Sequence, residues 1–150
     1  MAITEPGLAA SPNRGLAVTA GTMFAIWGIM GFFFAHEAGH AFLGSTGGYL
    51  WNAFLVNPAL GAIWTLMAAL LFINALATVA AARNANLWVG IVCLFLGVYG
   101  FVLMNTSANI FAANTTDNVF HVIVGAILVL TAIGADKANL RALRSARRTA

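Results

Sequence analysis

The sequence is poor in charged residues and in cysteine, and both shortages restrict what the chain can be. Lys, Arg, Asp and Glu make up 7% of the 150 residues, far below the share of about a quarter that soluble globular domains carry. The formal net charge is +3, but no basic patch with interleaved aromatics occurs, so nucleic-acid binding is not expected. The single cysteine, Cys93, excludes an internal disulfide.

What the sequence has instead is apolar side chains, at 61% of residues and a mean hydropathy of +0.90. Four runs without a charged residue, at about 16–35, 60–82, 87–104 and 119–135, are long enough or nearly long enough to cross roughly 30 Å of hydrocarbon. The sequence therefore predicts an all-α polytopic membrane protein with three parts. These are a lead-in at 1–15, a four-transmembrane-helix bundle at 16–135 and a basic tail at 136–150.

The positions of the basic residues predict the topology. Arg14 precedes the first run, Arg83 lies between the second and third, and the other five bases follow the fourth: Lys137, Arg141, Arg144, Arg147 and Arg148. Four crossings place all seven on one side, which the positive-inside rule identifies as the cytoplasm. We therefore expect an inner (plasma) membrane protein with both termini in the cytoplasm, a tight turn at 83–86, and a tail resting on anionic headgroups.

The same topology gathers every histidine and two of the four acids at the opposite, outer face: His36, Glu37, His40, Asp117 and His121. The loop at 44–59 adds three aromatic residues, Tyr49, Trp51 and Phe54. Aromatic rings suit the headgroup boundary, so we expect this loop to form a short interfacial helix.

Residues 36–40 read His-Glu-Ala-Gly-His and fit the H-E-x-x-H pattern, in which two histidines one turn apart bind zinc and the glutamate acts as general base. The motif resembles the site-2 protease family, which implies an intramembrane zinc peptidase. That family takes its third ligand from an aspartate before a glycine in a later span, often after Asn-Pro. The one Asn-Pro pair here, at 57–58, is followed by Ala-Leu. His121 or Asp117 could complete a ligand set; otherwise the motif simply extends the first span.

The fourth span begins with Asn-Thr-Thr-Asp-Asn-Val-Phe-His-Val-Ile-Val-Gly. Thr115, Thr116 or Asp117 can cap the helix start, where the negative charge of the aspartate also complements the helix dipole. Asp117 and His121 are one turn apart, so the carboxylate can accept a hydrogen bond from the imidazole and orient it. Gly125, a further turn along the same face, would let a neighbouring helix approach.

This stretch, with Tyr99-Gly100 and Ser107-Ala108-Asn109 before it, resembles a family of small four-span proteins, common in actinobacteria, catalogued as domain of unknown function 4383. Its pattern Asn-Thr-x-Asp-Asn-x-x-His-x-x-x-Gly is matched by Asn114, Thr115, Asp117, Asn118, His121 and Gly125. The resemblance implies a bacterial four-span membrane protein. It departs at span two, where the family often carries a second Asn-x-x-His-x-x-x-Gly, because Asn57 is followed at those spacings by Leu60 and Trp64.

We therefore expect a non-catalytic integral membrane protein that serves as an accessory or scaffolding subunit of a larger membrane complex. No enzymatic activity is expected, and no particular cofactor is implied. The alternative is an outer-face metal- or haem-binding protein that uses His36, His40 and His121, with a zinc-dependent peptidase as its extreme form. A small transporter or channel is a third possibility, which the lack of charged residues within the spans disfavours.

Overall fold

The computed structural model describes residues 4–37 and 41–149 of the chain. A short 3-10 helix at Leu8–Ala10 is followed by helix α1 (Pro12–Glu37), strands β1 (Gly48–Leu50) and β2 (Phe54–Val56), and helices α2 (Pro58–Ala77), α3 (Val79–Leu103), α4 (Thr115–Gly134) and α5 (Lys137–Thr149). Within the described residues, α1 to α4 are the helices long and apolar enough to cross a membrane. The predicted all-α, four-span architecture is confirmed.

The connection between α2 and α3 corrects the sequence prediction. We expected a tight turn at residues 83–86, but α3 begins at Val79 and runs through them. Thr78 separates the two helices: its backbone is extended (φ -139°, ψ 161°), and its hydroxyl accepts a hydrogen bond from the Ala81 amide at 3.0 Å. Because this side chain satisfies one of the free amides at the helix start, a single residue is enough to end one span and begin the next.

The loop between α1 and α2 forms a β-hairpin, so the expected interfacial helix is wrong. β1 and β2 are antiparallel, with Tyr49 opposite Leu55. Three residues, Trp51 to Ala53, separate the paired Leu50 and Phe54. Trp51 and Asn52 have φ values of 51° and 54°, and the Ala53 amide donates to the Leu50 carbonyl at 3.2 Å, as in a type I′ turn. The Trp51 ring packs edge-on against Trp27 of α1 with ring centroids 4.7 Å apart. This contact helps to hold a bulky residue in a left-handed backbone conformation.

The four spans pack most closely as two pairs, α1 with α2 and α3 with α4. A Cβ atom added at Gly28 of α1 would lie 2.6 Å from the amide nitrogen of Thr65 in α2. A Cβ atom added at Gly125 of α4 would lie 2.8 Å from the carbonyl oxygen of Gly90 in α3. Because lipid supplies no hydrophobic push between helices, close backbone approach of this kind is what allows each pair to pack.

The two pairs are repeats of one helical hairpin. An arginine and three glycines recur at identical spacing in α1 and α3: Arg14, Gly21, Gly28 and Gly31 against Arg83, Gly90, Gly97 and Gly100. Three residues recur likewise in α2 and α4 with their caps, and Trp64 stands at the position of His121: Asn57, Leu71 and Ala75 against Asn114, Leu128 and Ala132. Both α2 and α4 have 20 residues. Since each repeat contains two spans, the repeats run in the same direction, as in proteins whose repeats are related by an axis along the membrane normal.

The bundle has two unlike ends. The basic end carries Arg14, Arg83 and α5. Each of these arginines donates from its Nε to a carbonyl near the end of the paired helix, Arg14 to Ala75 and Arg83 to Ala132, both at 2.7 Å. The hairpin end carries β1, β2 and the connection at 104–114. The repeat therefore places both arginines at the same end, each against the C-terminal carbonyls of its partner helix.

The core lies along the inside of the spans, and the outside is apolar as well. Phe24, Trp64, Leu71 and Leu128 are fully buried between the helices. Large apolar side chains on the opposite faces are exposed, with Leu130 of α4 at 69%. Such a surface is suited to the hydrocarbon of a bilayer, which makes the chain a multi-pass membrane protein.

Candidate functional site

A capping box closes the start of α4. The side-chain oxygen of Asn114 accepts a hydrogen bond from the Asp117 amide at 3.0 Å, and Oδ2 of Asp117 accepts one from the Asn114 amide at 2.8 Å. We expected Thr115, Thr116 or Asp117 to be the cap, but the cap residue is Asn114 and Asp117 makes the reciprocal bond. The pair satisfies two of the backbone amides that a helix start leaves free.

The same two side chains hold the β-hairpin. Oδ2 of Asp117 also accepts a hydrogen bond from the Leu55 amide of β2 at 3.2 Å, and Nδ2 of Asn114 donates to the carbonyl of Ala53 at 2.8 Å. Asp117 is fully buried, and its Oδ1 has no hydrogen-bond partner among the described residues. The carboxylate therefore anchors β2 to α4 from inside the protein.

His121 lies inside the bundle, with 1% of its surface exposed. Trp64 of α2 donates its indole N–H to Nε2 of His121 at 2.8 Å. Because an indole N–H is only a donor, Nε2 carries no proton, and a neutral ring then has its proton on Nδ1. Trp64 and His121 occupy equivalent positions in the two repeats, so this bond joins the repeats to each other.

The expected hydrogen bond between Asp117 and His121 is wrong. Oδ2 of Asp117 is turned back to the helix start and to β2, while Nε2 of His121 is turned toward α2. Oδ1 of Asp117 and Nδ1 of His121 are both buried without a partner in the part of the chain that is described. Spacing by one helical turn places two side chains on the same face, but the neighbouring elements decide which way each one turns.

The remaining motif residues pack against α3. A Cβ atom at Gly100 would overlap the side-chain amide of Asn118, and one at Gly125 would lie 2.9 Å from the amide nitrogen of Leu94. The hydroxyl of Thr115 lies 3.9 Å from the sulfur of Met104. Every residue of the motif thus has a hydrogen-bonding or packing role within the fold.

Sequence reasoning missed Asn57 and Asn109, which organise the hairpin end. Asn57 caps α2 by accepting a hydrogen bond from the Leu60 amide at 2.9 Å, and it donates to the carbonyl of Ile110 at 2.8 Å. Asn109 accepts from the Ala113 amide at 3.0 Å. Asn57 therefore connects the loop before α2 with the loop before α4, and Asn109 holds the second loop in shape through Met104 and Ala113.

The signal that could have identified Trp64 was the pair of helix caps. Reading Asn-x-x-His from Asn57 matches Asn57 with Asn118 and Leu60 with His121. This alignment is out of register, because Asn57 is a helix cap and Asn118 is not. Aligning cap with cap, Asn57 with Asn114, pairs Trp64 with His121, and the structure shows these two side chains in contact.

Residues 14–134 match the family described as Domain of unknown function (DUF4383). The chain belongs to this family. No curated protein and no solved structure matches it. The match begins at Arg14 and ends at Gly134, the last residue of α4, so the DUF4383 region contains both repeats and excludes α5. The family expected from the sequence is confirmed.

The H-E-x-x-H motif falls within the DUF4383 region. His36 and Glu37 end α1, but their side chains, and the whole of His40, lie outside what the structure describes. No group of three His, Cys, Asp or Glu that could hold a metal ion occurs among the described residues. His121, proposed from the sequence as a further ligand, has its Nε2 engaged with Trp64. Metal binding by residues 36–40 stays a prediction.

At the basic end of this DUF4383 protein, Asp136 ties the two repeats together. Its Oδ2 accepts hydrogen bonds from the Ser11 hydroxyl and from the backbone and side-chain N–H groups of Asn13, all at 2.9 Å, and its Oδ1 accepts from Asn139 at 2.6 Å. Burial raises the pKa of Asp136, but the hydrogen bonds favour the charged form and outweigh it, so the pKa lies below its ordinary value of 3.8. Asn86 of α3 donates to the Asn13 carbonyl at 2.9 Å and completes the cluster.

The two equivalent arginines are satisfied to different degrees. Besides Ala75, Arg14 donates from its terminal nitrogens to the carbonyls of Pro6 and Leu76. Arg83 donates from Nε to Ala132, which is its one hydrogen bond among the described residues. The lead-in segment before α1 therefore supplies an acceptor to the first repeat that the second repeat lacks.

Proposed function

We propose that this protein is a non-catalytic accessory or scaffolding subunit of a larger membrane complex. The observation that carries the proposal is the way the motif's polar groups are used. Asn114 and Asp117 bond to the β-hairpin, and His121 bonds to Trp64 of the other repeat. Because these polar groups are used in bonds within the fold, they support a structural role more than a catalytic one. A small bundle stabilised in this way is suited to presenting its surface to partner proteins.

The proposed orientation places the basic end in the cytoplasm, at the inner (plasma) membrane. Arg14, Arg83 and the five bases of α5 lie at this end, while the connections that form the hairpin end contain no Lys or Arg. The positive-inside rule assigns such an end to the cytoplasm. The bases of α5 would then lie beside the anionic headgroups of the inner leaflet.

Single-cysteine labelling tests this orientation, because the one native cysteine, Cys93, is buried. Ser107→Cys places a thiol on the exposed hairpin end and Ser145→Cys places one on α5. In intact cells, a membrane-impermeant maleimide should label Ser107→Cys, and should label Ser145→Cys only after permeabilisation. The reverse pattern would overturn the orientation.

Purification in a gentle detergent, with chemical crosslinking before extraction, tests the subunit role. We expect the chain to migrate in a larger assembly with other membrane proteins in a fixed ratio. Leu66→Trp and Leu130→Trp change strongly exposed positions on different repeats, at 65% and 69% exposure, and loss of the assembly in one of them would locate the interface. A chain that migrates alone under every mild condition contradicts the proposal.

The alternative of an outer-face metal or haem protein using His36, His40 and His121 has weaker support, since Nε2 of His121 already accepts a hydrogen bond from Trp64. Metal analysis and absorption spectra of the purified chain distinguish the two proposals. Stoichiometric metal or haem that is lost in His121→Ala would favour the alternative over the scaffolding role.

A further inference from the structure

The basic end contains a cleft of about 190 Å³ between the end of α4, the start of α3 and α5. Its lining includes four basic and two apolar side chains: Arg83, Lys137, Arg141, Arg144, Ile133 and Leu140. They come from three helices that the chain brings together after the last span. The cleft lies apart from the motif at the start of α4.

The cleft has an unbalanced positive charge. No acidic residue lines it, and none of its four bases forms an ion pair within the described part of the chain. The nearby acids bond elsewhere: Glu5 accepts from the Val79 amide, and Asp136 accepts from Ser11, Asn13 and Asn139. Several like charges around one concave site repel each other and raise the local concentration of anions.

Arg83, which lines the cleft, has fewer hydrogen-bond acceptors than the equivalent Arg14 of the first repeat. Arg14 has a chain acceptor for each end of its guanidinium, because Pro6 and Leu76 accept from its terminal nitrogens. Arg83 stands at the equivalent position and bonds through Nε alone among the described residues. The Arg83 side chain lines the cleft, and its terminal nitrogens have no acceptor among the described residues. A planar guanidinium held in place with free donors is well suited to a phosphate group.

The apolar part of the cleft narrows the class of ligand. Ile133 is in the last turn of α4, is 56% exposed and borders the membrane-spanning surface. Leu140 lies on the first turn of α5 beside the bases. A ligand that meets both kinds of residue needs an anionic group joined to a hydrocarbon chain, and basic pockets at the cytoplasmic ends of transmembrane helices bind acidic lipid headgroups.

We infer that this cleft binds the phosphate of an anionic phospholipid, with an acyl chain directed along Ile133. The inference rests on the proposed placement of α5 against the headgroups and narrows that contact to one site. Arg83 and the bases of α5 would hold the phosphate, and the exposed face of α4 would contact the chain.

Lipid titration of the purified full-length protein, read by native mass spectrometry, tests the site. The probes are phosphatidylglycerol and phosphatidylcholine with identical acyl chains. The test variant is Arg141→Gln/Arg144→Gln, and the control is Arg147→Gln/Arg148→Gln, which removes the same charge from α5 outside the cleft. We expect the apparent affinity for phosphatidylglycerol to fall at least about tenfold in the test variant. We expect it to fall less than about twofold in the control.

Three outcomes would overturn the site. Equal losses in the two variants would indicate diffuse attraction of α5 to the headgroups, so the proposed tail contact would stand and the cleft would not. Equal binding of phosphatidylglycerol and phosphatidylcholine by the unsubstituted protein would contradict both. Displacement of phosphatidylglycerol by inorganic phosphate at matched concentration would identify free phosphate, rather than a lipid, as the ligand.

Discussion

The two helical hairpins share a framework and differ in what occupies it. Gly31 of the first repeat faces the side chain of Val56 in β2, whereas the equivalent Gly100 of the second repeat faces the side-chain amide of Asn118. Trp64 of the first repeat donates the hydrogen bond that the equivalent His121 accepts. The glycine position is therefore filled by an apolar contact in the first repeat and by a polar side chain in the second, while both repeats contribute polar groups, such as Asn57 and Asp117, at the hairpin end.

The largest expected effect comes from the equivalent glycines. Gly100→Ala should lower the free energy of unfolding by about 3 kcal/mol, because its Cβ overlaps a buried amide. Gly31→Ala should cost about 1 kcal/mol, since its Cβ would lie 2.9 Å from a methyl group of Val56 that can shift. Gly134→Ala, with no atom within 4 Å of the added Cβ, is the control and should be neutral or slightly stabilising. Unfolding in detergent measures all three, and equal losses at Gly31 and Gly100 would contradict the difference.

The next effect separates the equivalent arginines. Arg14→Gln should lower the free energy of unfolding by about 2 kcal/mol and Arg83→Gln by about 1 kcal/mol, because Arg14 loses hydrogen bonds to three carbonyls and Arg83 to one. Thermal unfolding in one detergent gives the ranking. A larger loss at Arg83 would mean that its terminal nitrogens bond within the protein and would weaken the case for the cleft.

The bond between the repeats should give a smaller, coupled effect. Trp64→Phe and His121→Phe should each cost about 1–2 kcal/mol, since each leaves one buried polar group unpaired. The double variant should cost about 1 kcal/mol less than the sum, as expected for residues in contact within a membrane bundle. Strictly additive losses in this double-mutant cycle would show that the contact contributes nothing to joining the repeats.

The smallest effect tests the clamp at the basic end, meaning the hydrogen bonds that Asp136 accepts from Ser11, Asn13 and Asn139. The native pKa of Asp136 lies below its ordinary value of 3.8, so the carboxylate stabilises the folded protein above that pH, and the stabilisation is lost as the pH falls through the lowered native pKa. Asp136→Asn should cost at most about 1 kcal/mol at neutral pH and should flatten the decline in stability below pH 3.8. Asn139→Ala keeps the carboxylate but removes one of its donors, so its loss of stability should lie between that of the unsubstituted protein and that of Asp136→Asn. An unchanged acid profile in Asp136→Asn would exclude the clamp.

Much of the architecture could be predicted because it depends on composition. Four uncharged apolar runs can be satisfied in a bilayer by helices, whose backbone hydrogen bonds are internal. The motif from Asn114 to Gly125 indicated the family correctly. The candidate site was predicted less well. Helix capping near Asp117 and close approach at Gly125 followed from local rules, but the partner of His121 is on another helix and was missed.

The errors have a common cause. The turn at Thr78 and the β-hairpin at 48–56 depend on single backbone conformations, which composition does not specify. Because Thr78 accepts a hydrogen bond from the Ala81 amide, α3 begins at Val79, before the Arg-Asn sequence at 83–84 from which the turn was predicted. Trp51 and Asn52 adopt left-handed backbone angles that turn a loop with aromatics suited to an interfacial helix into two strands.

By itself, the sequence determined that the chain spans a membrane four times and has its basic residues at one end, because hydropathy and charge act residue by residue. The tertiary structure decided what its few polar side chains do. It turned His121 toward Trp64 and Asp117 toward β2, and it gave Arg14 and Arg83, which the repeat spacing makes equivalent, different surroundings. Those outcomes depend on which helix lies opposite each side chain, and no local pattern along the chain contains that information.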